Sequence, residues 1–108
     1  MSDVYLAEDE DDYAAEAIID ILYSDGVIDD TQREAADAYS EAVLFARKRG
    51  KAAKEESQFS DNDREMLESI LFDGLSLDEY AEAITSDTDL VQERFVSTLT
   101  ELVRIYGL

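Results

Sequence analysis

Apolar residues recur along this chain at spacings of three and four, and the pattern stops at Gly26, Gly50, Gly74 and Gly107. A left-handed helix cap commonly follows such a stretch, so the glycines divide the chain into predicted helices. The first, from about Asp9 to Ser24, places Ala14, Ala17, Ile18, Ile21 and Leu22 on one face, with Asp9, Asp12, Glu16 and Asp20 opposite. The second, from about Thr31 to Arg49, carries Ala35, Tyr39, Ala42, Val43 and Ala46, and Thr31 with Glu34 has capping-box spacing. Lys51 to Phe59 is polar and reads as a linker or a frayed extension.

Three further segments follow. Asp61 to Phe72 presents Met66, Leu67, Ile70 and Leu71, behind Ser60 and Asp63 at cap spacing. Leu77 to Thr85 presents Leu77, Tyr80, Ala81 and Ile84, behind a Ser76–Glu79 capping box. Asp89 to Tyr106 carries the longest stripe: Val91, Phe95, Leu99, Leu102 and Tyr106. No stretch alternates with the period of two that marks a half-buried strand. The prediction is an all-α fold, a compact bundle of four to five helices. The 108 residues make one acidic helical domain, 1–108, with a polar, basic linker at about 50–59.

Charge changes this picture. There are 28 acidic residues against 9 basic ones, a formal net charge of −19. Residues 1–32 hold 11 acidic side chains and no basic one, residues 33–64 hold seven of each, and residues 65–108 hold ten acidic and two basic. Five of the nine cations fall between Arg47 and Lys54. Such a field repels nucleic acid and anionic membranes and attracts basic protein surfaces.

The chain has no cysteine and no histidine. Disulfides, thiol chemistry and the usual nucleophile–base pairs are therefore ruled out, and no zinc site of the ordinary kind can form. Asp-Gly between helices invites an EF-hand reading, but with Gly26 at the sixth position the first, third and twelfth fall on Ile21, Tyr23 and Gln32. With Gly74 there, they fall on Ser69, Leu71 and Tyr80. Neither loop offers the ligand set of a calcium site. No glycine-rich phosphate loop occurs either. The expectation is a non-enzyme with no catalytic residue, no metal and no cofactor. No apolar run is long enough to span a bilayer. Met1-Ser2-Asp3-Val4 lacks the basic start and apolar stretch of a signal peptide, which predicts a cytoplasmic protein.

Two short resemblances stand out, one internal and one to a known family. Ile21-Leu22-Tyr23-Ser24-Asp25-Gly26-Val27 is similar to Ile70-Leu71-Phe72-Asp73-Gly74-Leu75, and a shared helix-cap motif accounts for both. The run Asp25-Gly26-Val27-Ile28-Asp29-Asp30 resembles the helix-loop-helix of the tellurite-resistance TerB-like family over about ten residues.

Carboxylates at i, i+3 and i+4 on a helix stand roughly 5–6 Å apart. Duplex DNA carries one negative charge per roughly 1.7 Å of axis, so a rigid acidic helix offers a cationic DNA-binding groove many partners. The candidate row is Asp9, Asp12, Glu16 and Asp20, extended by Asp25, Asp29 and Asp30. Ile19 and Tyr23 are the candidate anchors on that side. Asp37 and Glu41, with Leu44 beside them, add a second patch. In size, charge, helix content and want of catalytic groups the chain resembles the acidic DNA-mimic inhibitors of phages and mobile elements, such as antirestriction and anti-CRISPR proteins. That resemblance implies a stoichiometric inhibitor whose partner is a basic nucleic-acid-binding protein, with no direct contact to nucleic acid or membrane. It is compositional and transfers no residue. The basic cluster at Arg47–Lys54 departs from the pattern and is expected to pair with an acidic part of the same chain or of a homodimer mate. Two other readings fit the composition: haloadaptation, and a phage assembly or adaptor protein using an apolar helix face.

Overall fold

The computed structural model describes residues 15–108, and these form an all-α bundle of five helices without a strand among them. Helix α1 is described over residues 15–24. It is followed by α2 (Asp30–Lys48), α3 (Asp61–Leu67), α4 (Leu77–Ala83) and α5 (Thr88–Tyr106). A 3-10 turn covers Lys54–Gln58, and α3 runs directly into a π-helical turn at Glu68–Phe72. The radius of gyration is 13.7 Å, close to the ~13 Å of a compact chain of this size.

The core forms where α2 lies along α5 and α4 packs against α5 from another side. Val91, Phe95, Leu99 and Leu102 point inward from α5 and are 0–2% exposed. They meet Ala35, Ala36, Tyr39 and Val43 of α2, whose small alanines allow close approach. Met66, Leu67, Ile70 and Leu71 fill the far side. Polar ties then fix the packing. Gln32 Nε2 donates to Thr100 Oγ1 at 3.0 Å, joining α2 to α5. Arg94 donates to Asp63 Oδ1 through Nε at 2.9 Å, joining α5 to α3.

The stripes predicted for α3 and α5 are the buried ones, except that Tyr106 is only partly covered. In α4, Tyr80 and Ala81 are buried but Ile84 is 39% exposed, because the helix ends before it. In α2, Ala35, Tyr39 and Val43 are buried as predicted. Its start differs from the prediction: Asp29, not Thr31, is the N-cap, and Asp29 with Gln32 closes the capping box. Asp29 Oδ1 accepts from the Gln32 backbone N–H at 2.8 Å. A carboxylate there also suits the positive end of the helix dipole, which a threonine hydroxyl does not. Ser76 and Glu79 form their predicted box, while at Ser60 only the serine side of the bond is made.

Helix α1 corrects the sequence reading most. Its inward face is Ala15, Ile19 and Leu22, at 2%, 0% and 8% exposure. Of the predicted face, Leu22 is buried as expected, but Ala17 and Ile21 are exposed and Ile18 only partly covered, while Ala14 lies outside the described residues. The segment at 50–59 is also not a free linker. Ala53 is buried, and the Phe59 ring meets the Tyr39 ring edge-on at 6.4 Å. Tyr106 Oη donates to Glu55 Oε2 at 2.6 Å, tying the 3-10 turn to the end of α5.

Candidate acidic interface

Of the acidic row predicted on the first helix, Asp9 and Asp12 lie outside the described residues. Glu16 and Asp20 are exposed on the flank of α1 that faces α2. There Asp20 meets Arg33, which projects from the first turns of α2. Arg33 Nη2 stands 2.7 Å from Asp20 Oδ1. Its guanidinium also lies over the Tyr23 ring, 4.7 Å from the centroid. Tyr23 in turn donates its hydroxyl proton to Asp30 Oδ1. That bond and the nearby Asp30 charge raise the phenol's pKa. One arginine, one tyrosine and two aspartates therefore form a chain of contacts linking α1 to α2. Asp29 is held at home by its capping bonds. Much of the predicted row is thus engaged within the molecule.

Ile19 is not an anchor for a partner. It is fully buried, packed in the core beneath α1. The sequence placed it on the acidic side because α1 is apolar over most of its circumference, which leaves the inward direction undecided.

Asp37 and Glu41 gather with Glu16 around a recess of about 270 Å³ between α1 and α2, with Leu44 at its edge. The Asp37 carboxyl is raised above the ordinary value of 3.8, first by burial and then by the charges of Glu16, Asp20 and Glu41. Arg33 works in the opposite direction. The Ser40 hydroxyl beside the recess is buried and has no hydrogen-bond partner among the described residues. Asp25 stands apart from this group, on the opposite flank of α1.

A second acidic face escaped the sequence reading. Asp73, Asp78, Glu79, Glu82, Asp87, Asp89 and Glu93 are all exposed, and none forms an ion pair among the described residues. They belong to α4, the first turns of α5 and the turns that flank α4. The signal was present in the excess of ten acids over two bases in residues 65–108. What the sequence did not reveal is that both bases are occupied elsewhere: Arg94 with Asp63, and Arg104 with Glu101. The basic cluster does pair within the chain at Arg47, which bridges to Glu68 and lies 4.9 Å over the Phe72 ring. Arg49 lies 4.3 Å over the ring of Phe45.

Among the described residues, no three acidic side chains converge closely enough to hold a metal ion. No described helix is long and apolar enough to cross a membrane. No family model, curated protein or solved structure matches the chain.

Proposed function

We propose that this protein is a non-enzymatic, stoichiometric inhibitor that docks on the basic cleft of a nucleic-acid-binding protein and holds it closed to its substrate. The observation that supports this reading most is the exposed set of carboxylates on α4 and α5, which form no ion pair among the described residues. Asp78 with Glu82, and Asp89 with Glu93, are like charges at i, i+4. Such pairs weaken a helix by roughly 0.2–0.5 kcal/mol each. Five arginines are bound to carboxylates of the same chain, at Asp20, Glu68, Asp61, Asp63 and Glu101. Even so, none is placed to relieve these two pairs. Asp78 accepts from Thr88 Oγ1 at 2.7 Å, and Asp78, Glu79 and Asp89 sit in first turns where the helix dipole favours them, but the array has no cation of its own among the described residues. Such a surface is suited to a cationic partner, which would be steered in by it.

The test is affinity capture of partners from host extract on the tagged chain at low and high salt, followed by competition with duplex DNA. The expected partner is a basic protein that elutes with salt and is displaced by DNA. Neutralising Asp78, Glu82, Asp89 and Glu93 to their amides should weaken capture more than neutralising Glu16, Asp37 and Glu41, because Arg33 already offsets part of the second set. A partner held equally by both variants, and indifferent to salt, defeats the proposal.

A further inference from the structure

The two similar segments of the sequence meet in space. Each ends its helix at an Asp-Gly turn with a left-handed glycine, φ 79° at Gly26 and 78° at Gly74. In the first turn the Val27 N–H returns to the Leu22 carbonyl at 3.0 Å. In the second, the Leu75 N–H reaches one residue further back, to the Ser69 carbonyl at 3.0 Å, because the π-turn has widened the helix. The second turn sits beside helix α1: a β-carbon at Gly74 would stand in ordinary contact with Ile18 Cδ1, at 3.8 Å.

Between them lies a groove of about 360 Å³. Helix α1 lends it Ile18, Ile21 and Leu22, and the second turn lends Ile70 and Leu75. Ile21 is 59% exposed here, although the rest of the chain's apolar pattern would bury it. The edges are Asp25 and Asp78, and no lysine or arginine is among the residues lining it. The groove therefore has a mostly apolar lining whose charged members, Asp25 and Asp78, are both negative, with Ser76, Thr88 and Gln92 as neutral polar neighbours, and it adjoins the acidic face at Asp78.

We infer that this groove receives the apolar face of a cationic amphipathic helix on the partner protein. Leucine-like side chains would enter over Ile21, and flanking lysines or arginines would meet Asp25 and Asp78. A helix laid into a groove commonly binds this way, with apolar anchors at i, i+3 and i+4. The floor supplies the selectivity that charge alone lacks: long-range attraction speeds encounter, and a desolvated apolar contact slows release. The inference rests on the reading that the partner is basic, and deepens it by naming the element that docks.

Two synthetic peptides of identical leucine and lysine composition provide the test, one ordered as an amphipathic helix and the other scrambled. Each is titrated at low salt into the full chain and followed by amide NMR. The amphipathic peptide is expected to shift Ile21, Leu22, Val27 and Leu75 and to bind more tightly than its scrambled counterpart. Ile21→Ser should weaken the amphipathic peptide about 3–10-fold and leave the scrambled one unchanged. Ile21→Leu should keep the wild-type affinity. Because this side chain is largely exposed, neither variant perturbs the core. If both peptides bind equally and their shifts scatter over the carboxylate faces, the groove is not the docking site, while the cationic-partner reading stands. If neither peptide binds at low salt, both fall.

Discussion

The guanidinium carbon of Arg33 lies 4.7 Å from the centre of the Tyr23 ring, while the same group reaches Asp20 at 2.7 Å. The arrangement fastens the exposed flank of α1 to α2 by a cation–π contact and an ion pair at once. Arg33→Gln should remove both. Each is worth about 0.5–1 kcal/mol at a partly exposed site, so urea unfolding should show a loss of about 1–2 kcal/mol. Arg33→Lys keeps the charge without the planar group and should fall between. The same change to glutamine should speed association with a basic partner, since it uncovers negative charge on that flank.

Asp37 offers a test by pH. Its carboxyl is raised, by burial first and by neighbouring carboxylates next. An acid whose value in the fold exceeds its unfolded value weakens the fold at every pH above the folded value. The penalty fades as pH falls through that raised value and is gone below the ordinary 3.8. Asp37→Asn should therefore raise the melting temperature at neutral pH and have little effect well below 3.8. Thermal melts of the two proteins across that range check it, and a variant less stable at neutral pH contradicts it.

Thr85 is the one described non-glycine residue with a positive φ, 56°, at the end of α4. The Ser86 N–H closes that turn on the Ala81 carbonyl at 2.8 Å. A β-carbon in the left-handed region costs about 1–2 kcal/mol, and glycine gives back part of this through its freer unfolded chain. Thr85→Gly should stabilise the protein by about 0.5–1 kcal/mol. Thr85→Ala, which keeps the β-carbon, should gain less. Chemical denaturation of both separates the two effects.

How far the sequence could be read depended on how one-sided each helix is. The α5 stripe was legible because Val91, Phe95, Leu99 and Leu102 recur at spacings of three and four over most of its length, while the other apolar residues, Leu90, Val96, Val103 and Ile105, form no second stripe as long. In α1, Ala15, Ala17, Ile18, Ile19, Ile21 and Leu22 cover most of the circumference, so two inward directions fit equally well. The tertiary environment chose the one that buries Ile19 and leaves Ile21 outside. The cap at Asp29 was missed because Thr31 and Glu34 offered an equally good box two residues later. At the acidic interface, counting charges found the excess but not its distribution. Which carboxylates are neutralised is decided by contacts such as Arg33 with Asp20, separated by thirteen positions and set by the packing of α1 on α2.

Salt distinguishes a partner-directed surface from haloadaptation. At an ionic strength of about 0.01 M the screening length is about 30 Å, so repulsion acts across the whole molecule. Near 0.15 M it shrinks to about 8 Å. The melting temperature should rise between these conditions, yet circular dichroism should show a folded helical protein at the lower one, held by the core around Phe95 and Leu99. Loss of helix at low salt that only molar salt restores would assign the acidity to solubility in a saline cell.

The π-turn at Glu68–Phe72 acts as a phase wedge. Ile70 and Leu71 face inward there, and half-buried Phe72 packs at the edge of the core beneath Arg47. Removing a single residue there would restore regular winding and rotate everything after it by about 100° about the axis. Gly74 would then no longer abut Ile18, and the two Asp-Gly bends would lose their mutual alignment. Such a shortened chain would keep nearly all its helix yet lose the groove between the bends, so helicity by itself is a poor gauge of whether this protein is intact.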